Sequence, residues 1–80
     1  MRIARMMPLD VVFRYGMPPG EEQMRALDAA RDVYGVRRIA FDEKERTVRV
    51  EYDGTRLHPD TVAALLRNAG LDLKERVTLV

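Results

Sequence analysis

The chain has 80 residues, no cysteine, and 14 basic against 13 acidic side chains, which leaves a formal net charge of +1. The absence of cysteine excludes disulfides, cysteine-based zinc sites, iron–sulfur clusters and thiol catalysis. The near balance of charge argues against an electrostatic nucleic-acid binder, which would carry a clear basic excess.

The length and hydropathy of the chain predict one soluble, cytoplasmic domain over residues 1–80. No apolar run approaches the roughly 20 residues that a membrane-spanning helix needs. Residues 1–7 are too short for a signal peptide, and we interpret them as an extension that precedes a core of about residues 8–80. The basic residues are nearly all arginine, only Lys44 and Lys74 being lysine, and this skew favours a bacterial source with a GC-rich genome.

The first predicted element is a strand that ends near Tyr15. Apolar side chains recur along it with period two, which is typical of a half-buried strand. These residues are Leu9, Val11, Phe13 and Tyr15. Met17 continues the same inward phase past Gly16. Pro18-Pro19-Gly20 cannot extend a strand ladder, because proline has no N–H to donate.

A first helix is predicted from Glu21 to about Tyr34, with Gly20 as its N-cap. Glu21 and Glu22 place negative charge in the first turn, where the helix dipole favours it. Gly35 is a typical C-terminal stop. The inward face of this helix holds Gln23, Ala26, Leu27, Ala30, Val33 and Tyr34, with Met24 beside it.

Two further strands are predicted to pair as a hairpin across the charged turn at residues 42–46. The second strand is defined by Val36, Ile39 and Phe41. The third strand is defined by Val48, Val50 and Tyr52. A slip in the phase of the second strand at Arg37-Arg38 indicates a β-bulge.

A second helix and a last strand complete the chain. Pro59 suits the first position of a helix, and Gly70 ends it. The apolar stripe of this helix is Val62, Leu65, Leu66 and Ala69. One phase of the last strand is formed by Leu71, Leu73, Val77 and Leu79, with Glu75 breaking the pattern.

The element order β-α-β-β-α-β predicts an α+β fold of the ferredoxin-like type. Two right-handed βαβ units give a four-stranded antiparallel sheet with both helices on one face. The other face, which we call the open face, is then expected to carry Arg14, Arg49, Glu51, Asp72, Lys74 and Arg76.

Several residues at matching spacing, over roughly residues 8–73, resemble the heavy-metal-associated (HMA) domain, the family of small copper chaperones and of N-terminal modules in metal-transporting ATPases. Gly16-Met17 stand where the family motif Gly-Met-Thr-Cys-x-x-Cys begins, and no gap is needed from Gly16 to Gly70. The other matching segments are Tyr34-Gly35-Val36, Ile39 with Phe41, Val50-Glu51-Tyr52-Asp53, Leu57-His58-Pro59-Asp60, and Leu65-Leu66 followed by Ala69-Gly70. The resemblance implies the scaffold of that family.

The chain departs from the family at the metal site. The two metal-binding cysteines of the family fall at Pro19 and Glu22. Proline has no donor atom, and a carboxylate is a hard ligand poorly suited to Cu(I). We therefore assign no metal site and expect no cofactor.

The remaining candidate ligands have simpler structural roles. Met17, together with Met6 and Met7, offers thioethers for Cu(I), but the resemblance implies that Met17 packs under the loop. Glu21 and Glu22 lack a third ligand for a hard cation and suit the helix dipole instead. His58 precedes the helix-starting proline and is interpreted as a cap or an exposed side chain.

Enzymatic and RNA-binding interpretations find little support in the residues. Acylphosphatases share the topology but need an arginine-bearing phosphate loop and an asparagine, and the single asparagine, Asn68, lies late in the second helix. No Ser–His–Asp set is visible, so we predict that the protein is not an enzyme. RNA-recognition domains display aromatic residues on the open face, whereas Phe13, Tyr15 and Tyr52 share the buried phase.

The leading hypothesis is a cysteine-less HMA-like module that acts by protein contact in metal transport or homeostasis. It would dock through an interaction loop and the first helix, or form a homo-oligomer through an edge strand. The interaction loop comprises Gly16, Met17, Pro18, Pro19, Gly20, Glu21 and Glu22. The alternatives are weak non-thiolate metal binding, with Met17 and Glu22 as candidate ligands, and nucleic-acid or small-ligand binding on the open face. No membrane partner is expected.

Overall fold

The computed structural model describes residues 8–33 and 35–77, with the backbone alone at residues 32 and 33. Met6, Met7, Tyr34 and Leu79, and the side chain of Val33, therefore lie outside the described residues. Within them, the elements follow the predicted order: β1 (Pro8–Tyr15), α1 (Glu21–Val33), β2 (Val36–Asp42), β3 (Thr47–Asp53), α2 (Pro59–Asn68) and β4 (Leu73–Val77).

The strands form a single four-stranded antiparallel sheet in the order β2-β3-β1-β4. This order, with the two helices, confirms the α+β ferredoxin-like fold. At the centre of the sheet Val11 lies opposite Val50 and Phe13 opposite Val48. Because residues directly opposite each other place their side chains on the same face, these apolar pairs define the face that the helices cover.

Both helices pack on that face. Leu27 of α1 is 2% exposed, and Val62 and Leu66 of α2 are 0% and 2% exposed, in one cluster with Val48 and Val50 of β3. The amphipathic stripes of the helices and the alternation of the strands thus meet in one core.

The predicted bulge in β2 is confirmed. Val36 lies opposite Tyr52, and Arg38 lies opposite Glu51, so that Arg37 is the extra residue. From Arg38 to Asp42 the strand runs in regular register with β3.

A second bulge, in β4, overturns part of the predicted phase. Val77 lies opposite Val12 and Arg76 opposite Phe13, but Leu73 lies opposite Tyr15. From Phe13 to Tyr15, β1 advances by two residues, while β4 advances by three from Arg76 to Leu73. The inward and outward positions of β4 therefore exchange across the bulge. Arg76 therefore lies on the helix-covered side, although we expected it on the open face, and Val77 lies on the open face rather than in phase with Leu73.

Leu9 has the predicted inward phase but is not buried. Leu9 lies opposite the buried Tyr52, yet it is 43% exposed. Pairing of β1 with β4 begins at Val12 among the described residues, so Leu9 has no described neighbour on that side. Alternation predicts which face of a strand a side chain lies on, but not whether neighbouring strands and helices cover it there.

Candidate functional site

The loop between β1 and α1, residues 16–20, is held by hydrogen bonds from two distant parts of the chain. Gly16 N–H donates to the backbone carbonyl of Asp72 at 2.9 Å, and Met17 N–H donates to Asp72 Oδ2 at 3.0 Å. On the other side, Arg46 Nη1 donates to the Gly16 carbonyl. These bonds fix the first half of the loop against the α2–β4 connection and the β2–β3 turn.

The ends of two side chains, Asp72 and Lys74, lie close to Gly16. A Cβ atom at this position would lie 2.5 Å from Asp72 Oδ2 and 2.7 Å from Lys74 Cε. The Asp72 carboxylate is also within 3.5 Å of the Lys74 ammonium. The absence of a side chain at Gly16 lets this charged pair lie against the loop backbone.

The second half of the loop is the capped start of α1. As predicted, Gly20 is the N-cap: its carbonyl accepts the Met24 N–H at 3.0 Å, and its own N–H donates to Gln23 Oε1 at 2.8 Å. The latter bond is the side-chain half of a capping box, in which the third helical residue reaches back to the cap. Glu21 and Glu22 are exposed in the first turn, where the helix dipole favours negative charge.

Met17 does not pack inward, so the expectation that it lies under the loop was wrong. Its side chain is 69% exposed. In a strand, successive N–H groups point in opposite directions, but the N–H groups of Gly16 and Met17 both point to Asp72. The strand phase therefore stops at Tyr15, and the Met17 side chain projects into solvent.

The exposed side of the loop forms an apolar surface together with α1. We define the loop surface as Met17, Pro18, Pro19 and Met24; Met17 is 69% and Met24 is 41% exposed. A groove of about 190 Å³ adjoins it, lined by Tyr15, Pro18, Pro19, Met24, Phe41 and Glu43. Pro18, Pro19 and Met24 thus reach the edge of the core through this groove, whereas Met17, which precedes Pro18 in the chain, does not line it.

Two aromatic rings in the wall of the groove pack against each other. Tyr15 and Phe41 meet edge to face, with ring centroids 5.6 Å apart. Burial raises the pKa of the Tyr15 phenol, and the nearby Glu43 and Asp42 carboxylates raise it further, while Arg46 opposes them. The Tyr15 phenol therefore ionises at a higher pH than a free tyrosine does.

The residues present do not fit the soft metal site of the HMA family. Pro19 is half-buried and Glu22 exposed, and between them they offer one hard carboxylate. His58 is exposed at the N-cap of α2 and makes no side-chain cap bond. Over residues 8–33 and 35–77, no three His, Cys, Asp or Glu side chains form a metal-ligand group.

The open face is mixed in charge rather than basic. Arg49 lies 3.5 Å from Asp10, and Arg14 lies 3.8 Å from Glu75. A shallow cavity of about 360 Å³ on this face is lined by Val12, Arg14, Ala40, Phe41, Asp42, Glu45, Thr47, Arg49 and Val77. These ion pairs neutralise the charge of arginine side chains that would be needed to bind phosphate groups.

Sequence reasoning named the loop but missed the residues that hold it. Asp72 was expected only as an open-face residue, Arg46 only as part of a charged turn, and Gln23 only as part of an inward helix face. Of these, only Gln23, three residues after a helix-capping glycine, gave a recognisable signal.

No helix in the described part of the chain is long and apolar enough to cross a membrane. A scan against protein-family models, a search of curated proteins and a search of solved structures each returned no match.

Proposed function

We propose that this protein is an interaction module, built on an HMA-like scaffold without the thiolate site, and that a partner protein docks on the loop surface. The observation that carries the proposal is the 69% exposure of Met17 on a loop that hydrogen bonds hold in place. A large apolar side chain displayed in this way has no evident use within the domain itself.

The fixed backbone favours binding by this surface. A loop that is already ordered loses little conformational entropy when a partner docks, so more of the contact energy appears as affinity. Methionine suits such a role, because its flexible, polarizable side chain adapts to partner surfaces.

The charge around the loop surface indicates the kind of partner. Glu21 and Glu22 lie in the first turn of α1, and Glu43 lines the adjoining groove. A partner segment that presents an apolar anchor flanked by Arg or Lys would complement both the methionines and this acidic rim.

The resemblance to the HMA family supports a place for the module beside metal-transport or metal-homeostasis proteins. Proline and glutamate at the positions of the family cysteines do not fit Cu(I), so we propose protein contact rather than metal transfer.

Affinity capture with matched variants tests the proposal. The wild-type protein, Met17→Ser/Met24→Ser and Leu9→Ser would each be immobilised and exposed to a lysate of the source organism. Bound proteins would be quantified by mass spectrometry. Leu9 is the matched control, because at 43% exposure it is as accessible as Met24 but lies at the other end of β1.

We expect a partner that binds the wild type and Leu9→Ser and is lost from the double methionine variant. Equal capture by all three proteins, with unchanged circular dichroism, would remove the loop surface from consideration.

A further inference from the structure

We propose that two copies of this chain pair through the free edge of β2, with a two-fold axis at Ala40, to form a continuous antiparallel sheet. The β2 edge shares Phe41 with the groove that adjoins the loop surface, but pairing through this edge does not depend on the proposed function.

The hydrogen-bond phase of the sheet identifies the free backbone groups. Tyr15 N–H donates to the Arg46 carbonyl on the β1 side of β3, whereas Asp53 N–H donates to the Gly35 carbonyl on the β2 side. In an antiparallel ladder these directions alternate residue by residue. Thr47 and Arg49 therefore bond to their partners in β2, Asp42 and Ala40.

It follows that Ile39 and Phe41 direct their N–H and C=O groups away from the sheet. β2 is an edge strand, and the described residues supply no backbone partner on its outer side. A free strand edge of this kind is a template for pairing with another strand.

Pairing about Ala40 satisfies these groups reciprocally. Ile39 of each copy lies opposite Phe41 of the other, and each such pair exchanges N–H···O=C bonds in both directions. Ala40 lies opposite itself in the closely spaced type of pair, where the Cα atoms are about 4.5 Å apart. The small side chain of alanine permits this approach.

The side chains are complementary in the same register. On the open face, Arg38 of each copy lies opposite Asp42 of the other, so the axis generates two opposite-charge pairs. On the helix-covered face, the half-buried Ile39 and Phe41 meet. Cross-strand pairs of both kinds stabilise a sheet.

Other symmetric registers lack this match. An axis at Phe41 places Asp42 opposite Ala40 and moves Arg38 past the end of β2, so neither charge of the strand gains an opposite partner. An axis at Ile39 leaves Arg38 opposite Ala40 and moves Asp42 beyond the regular edge, past the bulge at Arg37. Charge therefore selects the register at Ala40, and the bulge at Arg37 limits the regular edge to residues 38–42.

Charge-reversal variants test the pairing by sedimentation equilibrium at low salt, with the purified protein alone. Arg38→Asp and Asp42→Arg each place like charges across the axis, and we expect each to raise the dimer dissociation constant by about tenfold or more. An equimolar mixture of the two variants restores both opposite-charge pairs, and should form a heterodimer with wild-type affinity. Arg14→Asp is the matched control, since it makes the same charge change on the open face of an interior strand.

A crosslink provides a second measurement that does not depend on charge. The chain has no cysteine, so Ala40→Cys introduces a single thiol, and the Cα separation across the axis lies within the disulfide range. We expect Ala40→Cys to oxidise to a covalent dimer much faster than Thr61→Cys, which is exposed on α2. The proposal is overturned by a monomeric wild type at millimolar concentration, by equal effects of Arg38→Asp and Arg14→Asp, or by equal crosslinking rates.

Discussion

Gly16 joins the loop backbone to both the α2–β4 connection and the β2–β3 turn. Its N–H is bonded to Asp72, its carbonyl to Arg46, and its missing side chain leaves the space that the Asp72 carboxylate occupies. Contacts to three separate groups thus converge on a residue that has no chemistry of its own.

We predict that Gly16→Ala destabilises the protein by about 1 kcal/mol, because the added methyl group displaces Asp72 and breaks its bond to Met17 N–H. Urea unfolding of Gly16→Ala, Asp72→Ala and the double variant measures the coupling. In the Asp72→Ala background, Gly16→Ala should become neutral or stabilising, since the remaining close atom, Lys74 Cε, lies near the end of a flexible side chain that can move, and alanine restricts the unfolded chain. The same loss in both backgrounds would show that another contact is responsible.

The raised pKa of Tyr15 predicts how the stability of the fold changes at alkaline pH. Burial and the acidic turn raise the pKa of its phenol above the ordinary value of 10.0. The unfolded chain therefore releases this proton at lower pH than the folded protein does. The corresponding stability is present below pH 10 and is lost as the pH rises from there through the pKa of the folded state.

The measurement compares urea unfolding of the wild type and Tyr15→Phe at about pH 9 and about pH 11. Phenylalanine cannot ionise, and the other groups that titrate in this range are common to both proteins. We expect the wild type to lose more stability over the interval than Tyr15→Phe does. Parallel losses would mean that the Tyr15 phenol ionises alike in both states.

Met17 is the residue whose exposure the sequence pattern failed to predict. The alternation from Val11 to Tyr15 correctly predicted a buried face, and extending it by one step placed Met17 inside. The step failed because the direction of the chain after Tyr15 is set by Asp72, which is 55 residues away from Met17. A contact between residues so far apart in the chain produces no periodic pattern in the sequence.

At the scale of the element, α1 begins where Gln23 closes the cap. Its amide oxygen accepts the Gly20 N–H at 2.8 Å. Its side-chain stem lies against Gly70, where a Cβ atom would be 3.0 Å from Gln23 Cγ. One side chain therefore caps α1 and packs on the end of α2.

We predict that Gln23→Ala lowers the free energy of unfolding by about 0.5–1 kcal/mol, a typical value for a lost cap. Gln23→Glu should retain most of the stability, because its carboxylate accepts the same N–H and suits the helix dipole. Thermal and urea unfolding of the two variants provide the test. Equal destabilisation by both would contradict the capping role.

The two bulges show the limits of prediction for strands. The bulge in β2 was visible in the sequence, because charged residues at Arg37-Arg38 interrupt an apolar alternation. The bulge in β4 was hidden, because Leu73 and Val77 have the same parity and seemed to continue one phase across it. A bulge can be recognised in the sequence only where it interrupts the apolar alternation. In β4 the apolar Val77 beyond the bulge keeps the alternation apparently intact.

For the whole molecule, the order of the elements was enough to predict the sheet. Strong alternation in β1 and β3 and amphipathic stripes in both helices leave few alternatives once the crossovers are right-handed. The candidate site was predictable only as a location, since its supports come from the β2–β3 turn and the α2–β4 connection.

The donor set of the whole molecule predicts its response to metal. In a titration with Cu(I) against a colorimetric chelator, we expect no stoichiometric binding, because Pro19 and Glu22, which stand where the resemblance would place the two cysteines, supply no soft ligand. Pro19→Cys/Glu22→Cys is the positive control, since two thiolates at a helix N-terminus should create a competing site. Wild-type binding that is lost in Met17→Leu would instead identify a thioether site.

Arg46 has a consequence for anyone who would engineer this scaffold. It holds a left-handed backbone conformation, with a φ of 56°, that glycine adopts more readily. A conventional stabilising design would therefore place glycine there and relax the hairpin. The same exchange would delete the guanidinium that holds the Gly16 carbonyl. A single substitution at position 46 would therefore relieve the backbone of the hairpin and, at the same time, loosen the loop between β1 and α1.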